Sequence, residues 1–151
     1  ANGIDAWFNE ESLLPGQERE LEIPKAAKNA DSFIIFLSNK SINQEGYFQK
    51  EIKIALDIAD EKPEGIIYII PTRLEDCVLP ARIGRWQWVD LFQDDGYKKI
   101  YSSLEMRAKN LRNKNNDYLF FQTHTPVYFL TSWPYLSGPY SPYYQKLKSA
   151  P

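Results

Sequence analysis

The sequence predicts an α/β fold of the flavodoxin-like kind, a three-layer sandwich with a central parallel sheet. Three observations lead there. Residues 32–37 and 66–70 are short, continuous apolar runs rich in β-branched and aromatic side chains, the pattern of strands buried on both faces. Between them Phe48, Ile52, Ala55, Leu56 and Ala59 recur at helical spacing, while Lys50, Lys53, Asp57 and Asp60 occupy other faces. Strands that alternate with helices are joined by crossovers, and crossovers make parallel neighbours.

From the front, residues 4–9 read as a strand and residues 10–17 as a loop bent by Pro15-Gly16. Residues 18–29 read as a helix whose apolar side carries Leu21, Ile23, Ala26 and Ala27. Pro24 lies inside it. An interior proline costs about 3 kcal/mol and one in the first turn costs little, so the helix either starts near Pro24 or kinks there. Then come the strand that ends at Leu37, a polar loop, the amphipathic helix that runs to Pro63, a turn at Gly65 and the strand 66–70. Residues 71–80 leave the sheet edge as a loop. Residues 86–91 alternate like a short last strand, and a helix from about 95 to 110 presents Tyr97, Ile100, Leu104 and Ala108 inward.

Composition narrows the function classes. The 151 residues suit one domain, and a net charge of −2 without a Lys/Arg cluster argues against a nucleic-acid surface. The single cysteine, Cys77, makes no internal disulfide, and with the single histidine, His124, it makes no metal site of usual ligand spacing. Residues 1–5 lack the basic end and apolar stretch of a signal peptide. The aromatic-rich region 118–136 is too polar and too broken by proline to span a membrane. A cytoplasmic protein without nucleic-acid or membrane partners is the expectation.

The chemistry-bearing stretch follows the strand 32–37. In an open parallel sheet ligands bind outside the carboxyl ends of the strands, which places Ser38, Ser41, Tyr47 and Glu51 in a functional location. Tyr47 and Glu51 are four apart and share a helix face. Plainer roles exist for each: most helical glutamates are solvated, serines cap helices, and an aromatic at a strand or helix end, such as Trp7 or Tyr47, is more often core.

The pattern Ser38, Ser41, Tyr47, Glu51, Ile52 resembles that of Toll/interleukin-1 receptor (TIR) domains of bacterial style. In these, a strand-end serine, a second serine and an aromatic residue precede a glutamate four positions later in an apolar helix. Tyr47 stands where many members carry tryptophan. The resemblance covers residues 2 to about 109, and it makes Glu51 the catalytic carboxylate of an NAD nucleosidase. Ser38, Ser41, Tyr47 and Trp7 become residues of the nucleotide pocket, with NAD as substrate and no cofactor or metal. Nicotinamide leaves its ribose as a neutral ring and needs no proton. One ionised carboxylate near the ribose hydroxyls therefore suffices to stabilise the oxocarbenium-like transition state. The resemblance also implies a part in signalling or defence, and association with other TIR domains through the loop at 10–17. A non-catalytic TIR adaptor or assembly module is the rival reading, for which the Glu51 carboxylate is dispensable. A phospho-receiver of the same fold class is disfavoured, because Ser38 stands where its aspartate belongs and no lysine directly follows Leu91.

Set against that family, the first strand and helix are missing from the chain, which divides into an incomplete domain at 1–110 and a Tyr/Pro-rich tail at 111–151 of unassigned structure. The first strand of the flavodoxin-like order lies inside the sheet. Its loss removes four or five buried side chains at roughly 1.5–3 kcal/mol each, comparable with a domain's net stability of about 5–15 kcal/mol. An isolated chain is then expected to fold poorly. One tail segment offers a way out. Residues 126–133 have the apolar-then-hydroxyl character of the missing strand, and the linker from Asn110 exceeds the dozen or so residues that a parallel crossover requires. Pro126 and Pro134 confine pairing to the residues between them.

Overall fold

The computed structural model describes residues 4–8, 12–115 and 125–130, with 142, 145, 146 and 149. Residues 9–11 of the predicted first strand and loop, His124 and most of the Tyr/Pro-rich tail lie outside the described residues. In chain order the elements are β1 (Ile4–Phe8), α1 (Arg19–Asn29), β2 (Ser32–Leu37), α2 (Asn39–Asn43), α3 (Tyr47–Asp60), β3 (Ile69–Arg73), β4 (Val89–Asp90), α4 (Gly96–Asn115) and β5 (Thr125–Leu130).

The apolar run of β2 is buried at all six positions, as its lack of alternation requires of a strand covered on both faces. The five strands form one sheet in the order β1-β5-β2-β3-β4, and every pairing is parallel. The interior place of the flavodoxin-like first strand is therefore filled, and by the tail. β5 pairs with β1 from Ile4↔Thr125 to Phe8↔Phe129 and with β2 from Ser32↔Val127 to Ile35↔Leu130. Pro126, which has no N–H to donate, sits near the start of the strand, where its carbonyl accepts from the Asp31 amide at 2.8 Å. Val127, Tyr128, Phe129 and Leu130 are no more than 1% exposed. They supply the burial whose absence was expected to leave the chain poorly folded, and position 110 falls inside α4.

Alternation along the strands splits the core into two layers. One face of the sheet sends Phe33, Ile35, Leu37, Tyr128 and Leu130 against Ile23 and Ala27 of α1 and Phe48, Ile52 and Ala55 of α3. The other sends Phe8, Ile34, Phe36, Val127 and Phe129 against Ile100 and Leu104 of α4.

Local departures from the sequence reading have physical reasons. Helix α1 runs through Pro24 from Arg19, because burying Ile23 and Ala27, 3% and 0% exposed, outweighs the backbone hydrogen bond that proline forfeits. β3 begins at Ile69 rather than 66, and it includes Pro71 opposite Ile35. β4 keeps only Val89 and Asp90 of the predicted 86–91. The polar loop after β2 holds the extra helix α2, and α3 is entered through Gly46, whose φ of 113° is costly for any residue with a Cβ.

Candidate functional site

On α3 the buried residues are Phe48, Glu51, Ile52 and Ala55, a run of three- and four-residue steps. That spacing puts Glu51 on the core-facing stripe, and at 1% exposure it is no solvated surface glutamate. Its carboxylate meets the sheet at Tyr128 of β5, whose hydroxyl donates to Oε2 at 2.9 Å. The parallel register sets Trp7 and Phe33 on either side of Tyr128. Its ring stacks on both, with centroids 4.8 Å from Trp7 and 4.3 Å from Phe33, the latter nearly parallel at 6°. Burial, and then the negative charge and hydrogen bond of Glu51, push the Tyr128 phenol far above the usual tyrosine range, so it remains a protonated donor.

Tyr47 lies one helical turn away in a different environment. It is 42% exposed, and its hydroxyl donates to Glu20 Oε1 on α1 at 2.7 Å. The Arg19 guanidinium and the Lys50 ammonium lie over its ring at 4.7 and 5.0 Å. The Tyr47 hydrogen bond, with Lys50 second, holds the Glu20 carboxyl below its ordinary range, and the same bond pushes the Tyr47 phenol up. Between α1 and α3 runs a groove of about 290 Å³, bordered by Arg19, Glu20, Tyr47, Lys50 and Glu51 among others. Tyr47 and Glu51 thus share one cavity.

The other residues singled out from the sequence lie apart from it. Ser38 and Ser41 form a reciprocal cap at the start of α2. The Ser38 amide donates to Ser41 Oγ at 2.8 Å, the Ser41 amide to Ser38 Oγ at 3.2 Å, and the Ser41 hydroxyl to the Ser38 carbonyl at 3.1 Å. Both are buried, and neither borders the groove. Trp7 stacks on the Tyr128 ring, and it borders a separate cavity of about 250 Å³ with Lys25 and Pro126.

Two residues escaped the sequence reading. Tyr128 is one, although the apolar run around it had been marked as a candidate strand. Arg73 is the other, at the carboxyl end of β3. It grips both oxygens of Asp90 at 2.5 and 2.9 Å, and its remaining nitrogen donates to Asp76 and to the Cys77 carbonyl at 3.0 and 2.7 Å. This ties the loop after β3 to β4, and the buried Cys77 thiol is pushed up by desolvation, away from thiolate reactivity.

With a parallel sheet in this order and a helical glutamate over it, one comparison decides the family. Residues 1–104 match the family model described as TIR domain. The chain belongs to the TIR domain family. No match was found among curated proteins or among solved structures. A TIR domain is a module of signalling or defence, and here its matched residues include every position singled out from the sequence: Trp7, Ser38, Ser41, Tyr47 and Glu51. The donor to Glu51 is different, because β5 and Tyr128 lie beyond the matched residues of the TIR domain. Among the described residues no helix is long and apolar enough to cross a membrane.

Proposed function

We propose that this TIR domain is an NAD hydrolase with Glu51 as the catalytic carboxylate, releasing nicotinamide and ADP-ribose or a cyclic variant. The observation that carries this reading is the placement of Glu51: a carboxylate in the core stripe of α3, bordering a groove in which aromatic Tyr47 and cationic Arg19 and Lys50 form the rim. Burial strengthens the field that a carboxylate exerts on a developing oxocarbenium ion, because less water screens it. At about 290 Å³ the groove lies at the small end of ligand pockets, commonly ~300–1,000 Å³. It suits the nicotinamide ribose end of the dinucleotide, with the phosphates over the rim cations. Since Glu51 is 1% exposed, substrate reaches it when α1 and α3 part at the groove. Ser38 and Ser41 then act indirectly, by fixing the turn that leads into α3. Trp7 backs Tyr128 in place of stacking on the base.

A second reading, the non-catalytic assembly module, is favoured by Leu14 in the loop before α1. It is 67% exposed in the segment through which TIR domains are expected to associate. The discriminating experiment is nicotinamide release from NAD by the purified chain at high protein concentration, with Glu51→Gln beside it and circular dichroism on both. The hydrolase reading expects release by the parent and a loss of at least ~100-fold in the folded variant. A folded parent that releases nothing leaves the assembly reading in possession.

A further inference from the structure

Catalysis by a carboxylate depends on what holds it, and the holder of Glu51 comes from an unexpected part of the chain. Tyr128 is fully buried, clamped between the Trp7 and Phe33 rings, and it presents its hydroxyl to Oε2 from the side of α3 that faces the sheet. It does not border the groove where substrate would lie. A phenol held on both faces has little freedom to turn, so the carboxylate it grips is confined to one rotamer.

We propose that Tyr128 is a positioning residue for Glu51, a donor from β5 that fixes and polarises the carboxylate from the core side while the groove admits substrate from the other. The inference rests on the hydrolase reading of Glu51. Its physical basis is that a hydrogen bond to the ionised form of a carboxyl favours that form. Other charges bear on the same carboxylate. Arg19 and Glu20 of α1 border its groove, as do Tyr47, Lys50, Lys53 and Asp57 of its own helix. Tyr68, just ahead of β3, lies near enough to act on the Tyr128 phenol. None of these is altered when the Tyr128 hydroxyl alone is removed.

Tyr128→Phe keeps the ring between Trp7 and Phe33 and deletes only the donor. Two measurements on the whole chain separate its consequences. The first is a carbon-13 NMR titration of glutamate carboxyls, with the Glu51 resonance identified by its loss in Glu51→Gln. The second is the pH profile of nicotinamide release. The Glu51 midpoint is expected to rise by ~1 pH unit in Tyr128→Phe. The acid limb of kcat should move up with it, and kcat at its plateau should fall ~10-fold with KM within about twofold of the parent. A purely structural tyrosine would move neither the midpoint nor the limb. Installing 3-fluorotyrosine at position 128 alone, a stronger donor of nearly the same shape, should move both in the opposite direction. That arm decides the matter if the phenylalanine variant does not fold.

An unmoved Glu51 midpoint in both variants overturns the inference, whether or not the chain cleaves NAD. A midpoint that shifts in the variants of a parent that releases no nicotinamide supports the Tyr128–Glu51 coupling and overturns the hydrolase reading alone.

Discussion

Helix α3 carries two tyrosine–carboxylate hydrogen bonds, Tyr47 to Glu20 at 2.7 Å and Tyr128 to Glu51 at 2.9 Å. Their lengths are nearly the same, and length says nothing of what they do. The first joins α3 to α1 at the rim of the groove, where Tyr47 is 42% exposed and water stands ready to replace either partner. The second joins α3 to the centre of the sheet, with Tyr128 at 0% and Glu51 at 1% exposure. In the exposed pair the tyrosine is pushed up chiefly by the hydrogen bond itself, and in the buried pair chiefly by desolvation. Breaking the rim bond exchanges it for water. Breaking the core bond takes a donor from a buried carboxylate, where solvent replaces it less readily than at the rim.

The largest effect should come from removing the core tyrosine altogether. Tyr128→Ala takes away the ring between Trp7 and Phe33 as well as the donor to Glu51, and it opens a cavity in the middle of the sheet. Truncations of large buried aromatics cost about 3–5 kcal/mol, a large share of a domain's stability. Urea unfolding followed by circular dichroism measures it. A loss below ~1 kcal/mol would mean that β5 is not seated between β1 and β2.

A pair of intermediate burial sharpens the contrast. The side chains of Arg73 and Asp90 are 14% and 24% exposed, and the Arg73 hydrogen bonds, ahead of its charge, hold the Asp90 carboxyl below its ordinary range. A carboxyl depressed in the folded state binds fewer protons there than when unfolded. Its stabilising contribution is therefore complete above about pH 4 and fades as the pH falls through the lower, folded-state value. Asp90→Asn should cost about 1–2 kcal/mol at neutral pH, between the values for exposed and buried pairs. It should also flatten the acid side of the stability profile. Thermal melts from pH 7 down to pH 3 read both, and a variant with the parent's acid slope would remove Asp90 from the account.

The same contrast explains how much could be read in advance. β2 and α3 were legible because burial wrote itself into their sequences, as a continuous apolar run and as a stripe at helical spacing. Position 51 lay on that stripe, so the burial of Glu51 was implicit in the spacing of Phe48, Ile52 and Ala55. What it touches was not. Tyr128 is 77 residues away in the chain, and only the parallel register of β5 with β1 and β2 brings it under α3. Local pattern carries no information about which strand neighbours which, and that is why residues 126–133 could be marked as a strand without revealing a donor. Ser38 and Ser41 show a converse limit: their position after β2 fits a pocket and their spacing of three fits a cap, and in the fold each accepts from the other's backbone amide. The start of α1 shows a related limit: the helix begins at Arg19, ahead of Pro24, since proline's local cost is fixed and the burial that offsets it is not.

The smallest effect belongs to the rim. Tyr47→Phe removes the hydroxyl that donates to Glu20 but leaves the ring under Arg19 and Lys50, and the Lys50 ammonium still stands 3.4 Å from the same carboxylate oxygen. The Glu20 carboxyl should climb back toward its ordinary range without reaching it, because the lysine persists as the next-largest cause of its depression. The unfolding midpoint should stay within error of the parent, since solvent satisfies the freed Glu20 oxygen. Carboxyl NMR on Glu20 and a urea titration test the two halves separately. A Glu20 that does not move would show that the Tyr47 bond is not formed in solution. An unfolding midpoint that falls as far as it does in Tyr128→Ala would mean that exposure is not what separates the two pairs, and that the α1–α3 groove is held shut at its rim.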